Sequence, residues 1–120
     1  MQTFIIKGRF PDANIYINAE RSNRYAAAKI KNKWTEIVKK EIQAQKIKKI
    51  DYSITIFFLW VVRDKKRDKD NIMFGQKFVF DGLVKAGIIK NDGWNNVSQI
   101  HHNFLIAGKN QKEYLKVDLL

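Results

Sequence analysis

The spacing of apolar positions changes repeatedly along the chain and marks out its elements. Residues 2–9 (QTFIIKGR) read as a strand, and FPDAN (10–14) as a turn opened by the only proline in the chain. IYIN (15–18) alternates apolar and polar residues and predicts a short edge strand. From about Ala19 to Gln45 the period becomes helical. Ala27, Ile30, Trp34, Ile37, Val38 and Ile42 recur at steps of three and four and make one apolar stripe. Arg21, Arg24, Lys29, Lys31, Lys33, Lys39 and Lys40 occupy the other face. Residues 50–62 (IDYSITIFFLWVV) are rich in β-branched and aromatic side chains and predict a long central strand. A second helix is expected from Asn71 to about Ala86, with Gly87 as its left-handed terminator. After a loop over 88–96, the segments 97–108 and 112–119 predict a hairpin joined at GKNQ. Strand, helix, strand, helix and hairpin, without repeat or linker, imply a single α+β domain over 1–120. Its mixed β-sheet would pack against two main helices.

The 120 residues, 45% of them hydrophobic, suffice for one real core. There is no cysteine, which excludes disulfides and thiolate metal sites. No apolar run approaches the ~18–20 residues of a membrane span, and MQTFIIKGRF has no signal-peptide pattern. A cytoplasmic protein with no membrane partner is expected. The charge narrows the partner further. With 23 Lys+Arg against 12 Asp+Glu, the net charge is +11, an excess that favours polyanions.

The most basic stretch, RDKKRDKDN (63–71), also holds three aspartates among five cations. Each aspartate repels a phosphate, so a surface that only attracts polyanions has no use for them. Asp68 and Asp70 follow the central strand, and in extended chain residues i and i+2 point the same way. Two carboxylates so placed can hold Mg²⁺ together with water and phosphate oxygens. The competing explanation is that Asp70 or Asn71 caps the following helix. On one continuous helix Lys77 would return to the angular position of Asp70, ~10.5 Å further along. There it could meet a phosphate oxygen or form an i,i+4 pair with Asp81. Asp92, in the return loop, is a third candidate if that loop comes back toward the sheet edge, though NDG is also an ordinary turn. His101 and His102 should face opposite sides of a strand, and Trp34, Trp60 and Trp94 read as core or helix–sheet contacts.

DKDN (68–71) followed by KFVFDGLVKAGIIKNDGW (77–94) resembles the RusA-like Holliday junction resolvases of phages and prophages. A looser match runs through NIYINAERSNRY (14–25) and the long basic helix. The resemblance implies a homodimeric, Mg²⁺-dependent endonuclease (Mn²⁺ possible in its place) that nicks opposing strands of a four-way DNA junction. The family's essential acids would fall on Asp68, Asp70 and Asp92, its lysine on Lys77 and its motif asparagine on Asn71. The spacing between Asp70 and Lys77 is a helical turn longer than in the founding member. Phosphate contacts are expected from Asn14, Arg21, Arg24, Lys65, Lys66, Arg67, Lys69 and Asn71, and no small-molecule cofactor is implied.

Three functions remain open on the residues. The first is a junction nuclease in which two divalent ions ~3.5–4 Å apart assist phosphodiester hydrolysis. The second is a non-catalytic, basic DNA-binding module of phage origin, and the third a metal nuclease directed at structured RNA.

Overall fold

The central strand forms where β-branched and aromatic residues are densest. In the computed structural model, which describes residues 1–120, β1 spans Gln2–Lys7 and β2 spans Ile54–Val62. Ile54, Ile56, Phe58 and Trp60 of β2 point to one face and are buried, while the intervening Phe57 and Leu59 are half-buried on the other. The remaining strands are β3 (Val97–Ile106) and β4 (Tyr114–Leu119), and the sheet runs β1-β4-β2-β3. β4 is antiparallel to both β1 and β2, and β3 is parallel to β2. The sheet is therefore mixed and the fold α+β. The hairpin expected over 97–119 is not formed. β4 fills the slot between β1 and β2, where its alternate residues Leu115, Val117 and Leu119 are buried, and β3 is left as an outer edge.

The helices differ from expectation in two places, both for local reasons. The segment expected to be an edge strand lies in α1 (Ala13–Ser22), because Asp12 takes the N-cap position and accepts from the Ile15 amide. Asn23 then leaves the helical region and accepts from the amides of Tyr25 and Ala26, so a new helix, α2 (Arg24–Ala44), starts there. The apolar stripe on α2 stands, with Ala27, Val38 and Ile42 buried and Ile30, Trp34 and Ile37 packed on the core. The second expected helix is divided into α3 (Lys69–Met73) and α4 (Gln76–Lys85). At the break, a Cβ on Gly75 would stand 2.9 Å from the Trp60 ring, so this turn sits against the sheet where only glycine fits.

Gly87 ends α4 as anticipated, with φ +75°. The Ile88 amide reaches back to Leu83 and the Gly87 amide to Val84, the paired bonds of a Schellman motif. Ile88 and Leu83 are both buried beneath it.

One face of the sheet carries the core: Phe4, Ile6, Phe58, Leu115 and Val117 form a cluster with Val38 and Ile42 of α2 and Phe78, Val79 and Leu83 of α4. The opposite face has no covering layer. There Thr3, Ile5, Lys7 and His101 are exposed and Tyr114, Lys116 and Asp118 half-buried. No helix is long and apolar enough to cross a membrane.

Candidate metal and nucleic-acid site

β2 ends at Val62, and the basic loop leads from it into α3. Asp68 occupies the N-cap position of α3 in extended conformation, yet its side chain makes no capping hydrogen bond. Asp70 lies in the first turn, where Oδ1 accepts from the Asn71 amide at 2.9 Å. Both carboxylates are exposed. The chain turns helical at Lys69, so the geometry is not that of an extended D-x-D, and the two carboxylates flank the helix start instead.

Asn71 does not cap its own helix. Its Oδ1 accepts from the Asn14 amide at 3.0 Å, tying the first turn of α1 to α3. Two segments far apart in the chain thus meet beside Asp68 and Asp70, and Asn14, Asn71 and Lys69 share this neighbourhood. The Lys69 ammonium stands 5.7 Å from the centre of the Phe104 ring on β3. Lys65 and Lys66 are exposed on the loop. Arg21 and Arg24 are exposed where α1 gives way to α2, and the Arg24 guanidinium is held by the Tyr25 hydroxyl at 2.8 Å.

Arg67 turns inward, against the expectation that it meets DNA. Its guanidinium lies 3.8 Å from Asp12 and 3.6 Å from Glu113. Burial, followed by repulsion from Arg9, lowers its pKa against the pull of Glu113, Asp12 and Asp64. Glu113 is the hub of this network. It accepts from Arg9 through both oxygens, at 2.5 and 2.9 Å, and from the Arg63 amide at 3.0 Å. Burial pushes the Glu113 carboxyl up, but the Arg9 hydrogen bonds, the Arg63 amide and the guanidinium charges outweigh it and leave the group below its usual value. The same hydrogen bonds raise Arg9. With Glu113 and Asp12 buried and Arg67 half-buried, this network fixes the root of the basic loop. Nothing in the spacing around Glu113, Arg9 or Asp12 signals the network, because its members come from the ends of β1, β2 and β4.

Two expected members stand apart. Lys77 is exposed on α4, and the break at Gly75 removes the continuous helix that would have aligned it with Asp70. The alternative role for Lys77, an ion pair with Asp81, is not formed either, and Asp81 lies 3.9 Å from Lys31 of α2. Asp92 lies at the other end of the sheet. β2 and β3 are parallel, with Ile54 beside Val97 and Val62 beside Ile106, and the Ile54 amide donates to Asn96. The Asp92 loop folds on itself there, with Asn91 Oδ1 accepting from Gly93 and Asn96. The nine residues of β2, at about 3.3 Å each, separate it from the loop that carries Asp68 and Asp70. Within one chain no three acidic or histidine groups lie close enough to hold one ion.

His101 and His102 face opposite sides as expected, His101 stacked on Phe57 and His102 inside. Trp34 and Trp60 pack with Phe10. Trp94 is not a core residue: it is 97% exposed, two positions beyond Asp92.

Neither a protein-family model nor a curated protein sequence matches this chain.

Proposed function

We propose that this chain is a divalent-metal-dependent endonuclease acting on branched DNA, with Asp68 and Asp70 as its metal-binding carboxylates. The observation that carries the reading is Asp68 at a helix N-cap position with no capping bond. A carboxylate that the fold does not use is held in the most positive segment of a chain of net charge +11. The donors suit Mg²⁺, which takes one or two carboxylates and fills its remaining positions with water and phosphate oxygens. Mn²⁺ accepts the same oxygen ligands. When bound, the ion supplies charge stabilisation and water activation. The chain's own residues do the rest. Lys65, Lys66 and Lys69 draw the phosphate backbone in, and the Asn14–Asn71 bond fixes the start of α3 beneath the carboxylates. Selectivity for a four-way junction rests on the RusA-like motif of 68–94.

The placement of Asp92 favours a two-copy site. β3 is an outer edge with unpaired backbone groups, and Leu105 and Ile106 on it are 50% and 43% exposed. If two copies pair antiparallel along β3, the start of one strand lies beside the end of the other. Asp92 of one copy then approaches Asp68 and Asp70 of the second. The exposed Trp94 is covered in the same contact, and a two-fold dimer presents two such sites to a junction of matching symmetry.

The hydrogen bond that Asp70 Oδ1 accepts from the Asn71 amide favours the second reading, a non-catalytic DNA-binding module whose aspartates serve the helix start. One gel separates these readings, with wild type and Asp70→Asn, with and without Mg²⁺, on junction DNA, linear DNA and hairpin RNA. The nuclease cuts the junction only with metal, and Asp70→Asn binds but does not cut. Binding without cleavage in Mg²⁺ or Mn²⁺ leaves the module, and preferential cutting of the hairpin gives an RNA nuclease.

A further inference from the structure

We infer that the cleft on the helix-free side of the sheet is a second track for DNA phosphates, beside the basic loop and sharing only its first residue, Arg63. It is a cavity of about 920 Å³ into which Lys7, Arg9, Arg63, Lys109 and Lys112 project, with Glu113 as its one carboxylate. Glu113 does not repel an incoming anion, because Arg9 and the Arg63 amide already occupy it. The charges left to act are those of Lys7, Arg63, Lys109 and Lys112. Small-molecule pockets of similar size are lined mainly by apolar and aromatic side chains. Here five of the eleven lining residues are Lys or Arg, an arrangement suited to a polyanion. The spread of the cations over β1, the end of β2 and the 109–112 turn fits a run of backbone phosphates better than a single phosphate group.

Position links the cleft to the chemistry. Lys7 ends β1, Arg63 follows β2, and Tyr114, half-buried at the cleft wall, begins β4 opposite Lys7. This is the sheet end from which the loop to Asp68 and Asp70 departs. Between cleft and loop stands the Arg9–Glu113–Arg67–Asp12 network, which keeps the two in fixed register. A DNA strand leaving the aspartates across this end enters the cleft on the uncovered face. The inference rests on the DNA-nuclease reading and gives that reading a second contact surface.

The test is a salt titration of junction binding without metal. It compares wild type with Lys109→Ala/Lys112→Ala and with a control, Lys48→Ala/Lys49→Ala. The control removes two exposed lysines near Gln2, at the far end of β1. Each lost phosphate contact reduces the slope of log K against log salt by about 0.9, so the cleft variant should be shallower by about 1–2 while the control matches wild type. Equal slopes for all three proteins place the cleft off the DNA path and leave the nuclease reading standing. The absence of any salt-dependent junction binding by wild type overturns both. A nucleoside triphosphate that binds wild type and not the cleft variant, with the DNA slope unchanged, makes the cleft a small-anion site and overturns the inference alone.

Discussion

The indole N–H of Trp60 donates to Nδ1 of His102 at 2.9 Å, and His102 Nε2 meets Gln76 Oε1 at 3.0 Å. Because Nδ1 accepts, the proton of the neutral ring belongs on Nε2, and His102 joins the central strand to the start of α4. Protonation would set an N–H against the Trp60 N–H. Burial likewise lowers the His102 pKa below its usual 6.5. The stability that follows is complete above that value and is lost as pH falls through the folded one. Urea unfolding at about pH 7.5 and 5.5 should show the decline. His102→Gln, which keeps an acceptor but does not titrate in this range, should flatten it.

Gly82 and Val38 set the spacing of α4 on α2. A Cβ at position 82 would stand 2.4 Å from Val38 Cγ1. Alanine is the better helix former by about 1 kcal/mol, but overpacking costs about 1–3 kcal/mol. Gly82→Ala should therefore destabilise by up to about 2 kcal/mol, and Val38→Ala in the same chain should recover part of the packing strain. A double-mutant cycle by chemical denaturation reads the coupling.

Glu113→Gln removes the charge that holds Arg9 and Arg67. One hydrogen bond can be retained, so the expected loss is about 1–2 kcal/mol, kept small by the 41% exposure of the Arg9 side chain. The folded carboxyl lies below the usual 4.5, so the wild-type contribution is present above that value and disappears as pH falls further. The variant should lose less stability than wild type between about pH 5 and 3, as measured by thermal unfolding across that range.

Much of this fold is legible in local pattern. The β-branched run at 54–62, the stripe from Ala27 to Ile42 and the terminator Gly87 all report a local preference that tertiary packing then uses. The failures come where a single side chain decides. Asp12 and Asn23 supply caps that override the alternation at 15–18 and the helical period through 22–24, and Gly75 is explained only by the Trp60 ring from another element. The pairing of 97–106 was readable but was masked by the nearness of 114–119. A strand, about 35 residues containing helices, and another strand form the unit that pairs in parallel, and such a unit returns its loop to the opposite sheet end. The position of Asp92 follows from that topology. The network around Glu113 has no local signal, since its cations and carboxylates come from three separate segments.

Trp94 offers an optical test of association. An indole exposed in the single chain emits at long wavelength, and burying it in a two-copy contact is worth about 1.5–3 kcal/mol. Emission should shift to the blue as protein concentration rises through the dimerisation range, and Trp94→Ala should remove the shift while weakening association. An unchanged spectrum alongside dimerisation by sedimentation would place Trp94 outside the contact.

The most direct test of the shared site is complementation between two inactive variants. Asp70→Asn and Asp92→Asn should each fail to cut a four-way junction in Mg²⁺. Mixed in equal amounts and allowed to exchange, they form dimers of which about half are hybrid, each with one site fully wild type. Junction nicking should return to about a quarter of the wild-type rate. If each variant is inactive and the exchanged mixture stays so, Asp68, Asp70 and Asp92 do not assemble across two copies. Wild-type cutting by Asp92→Asn alone would remove that residue from the site altogether.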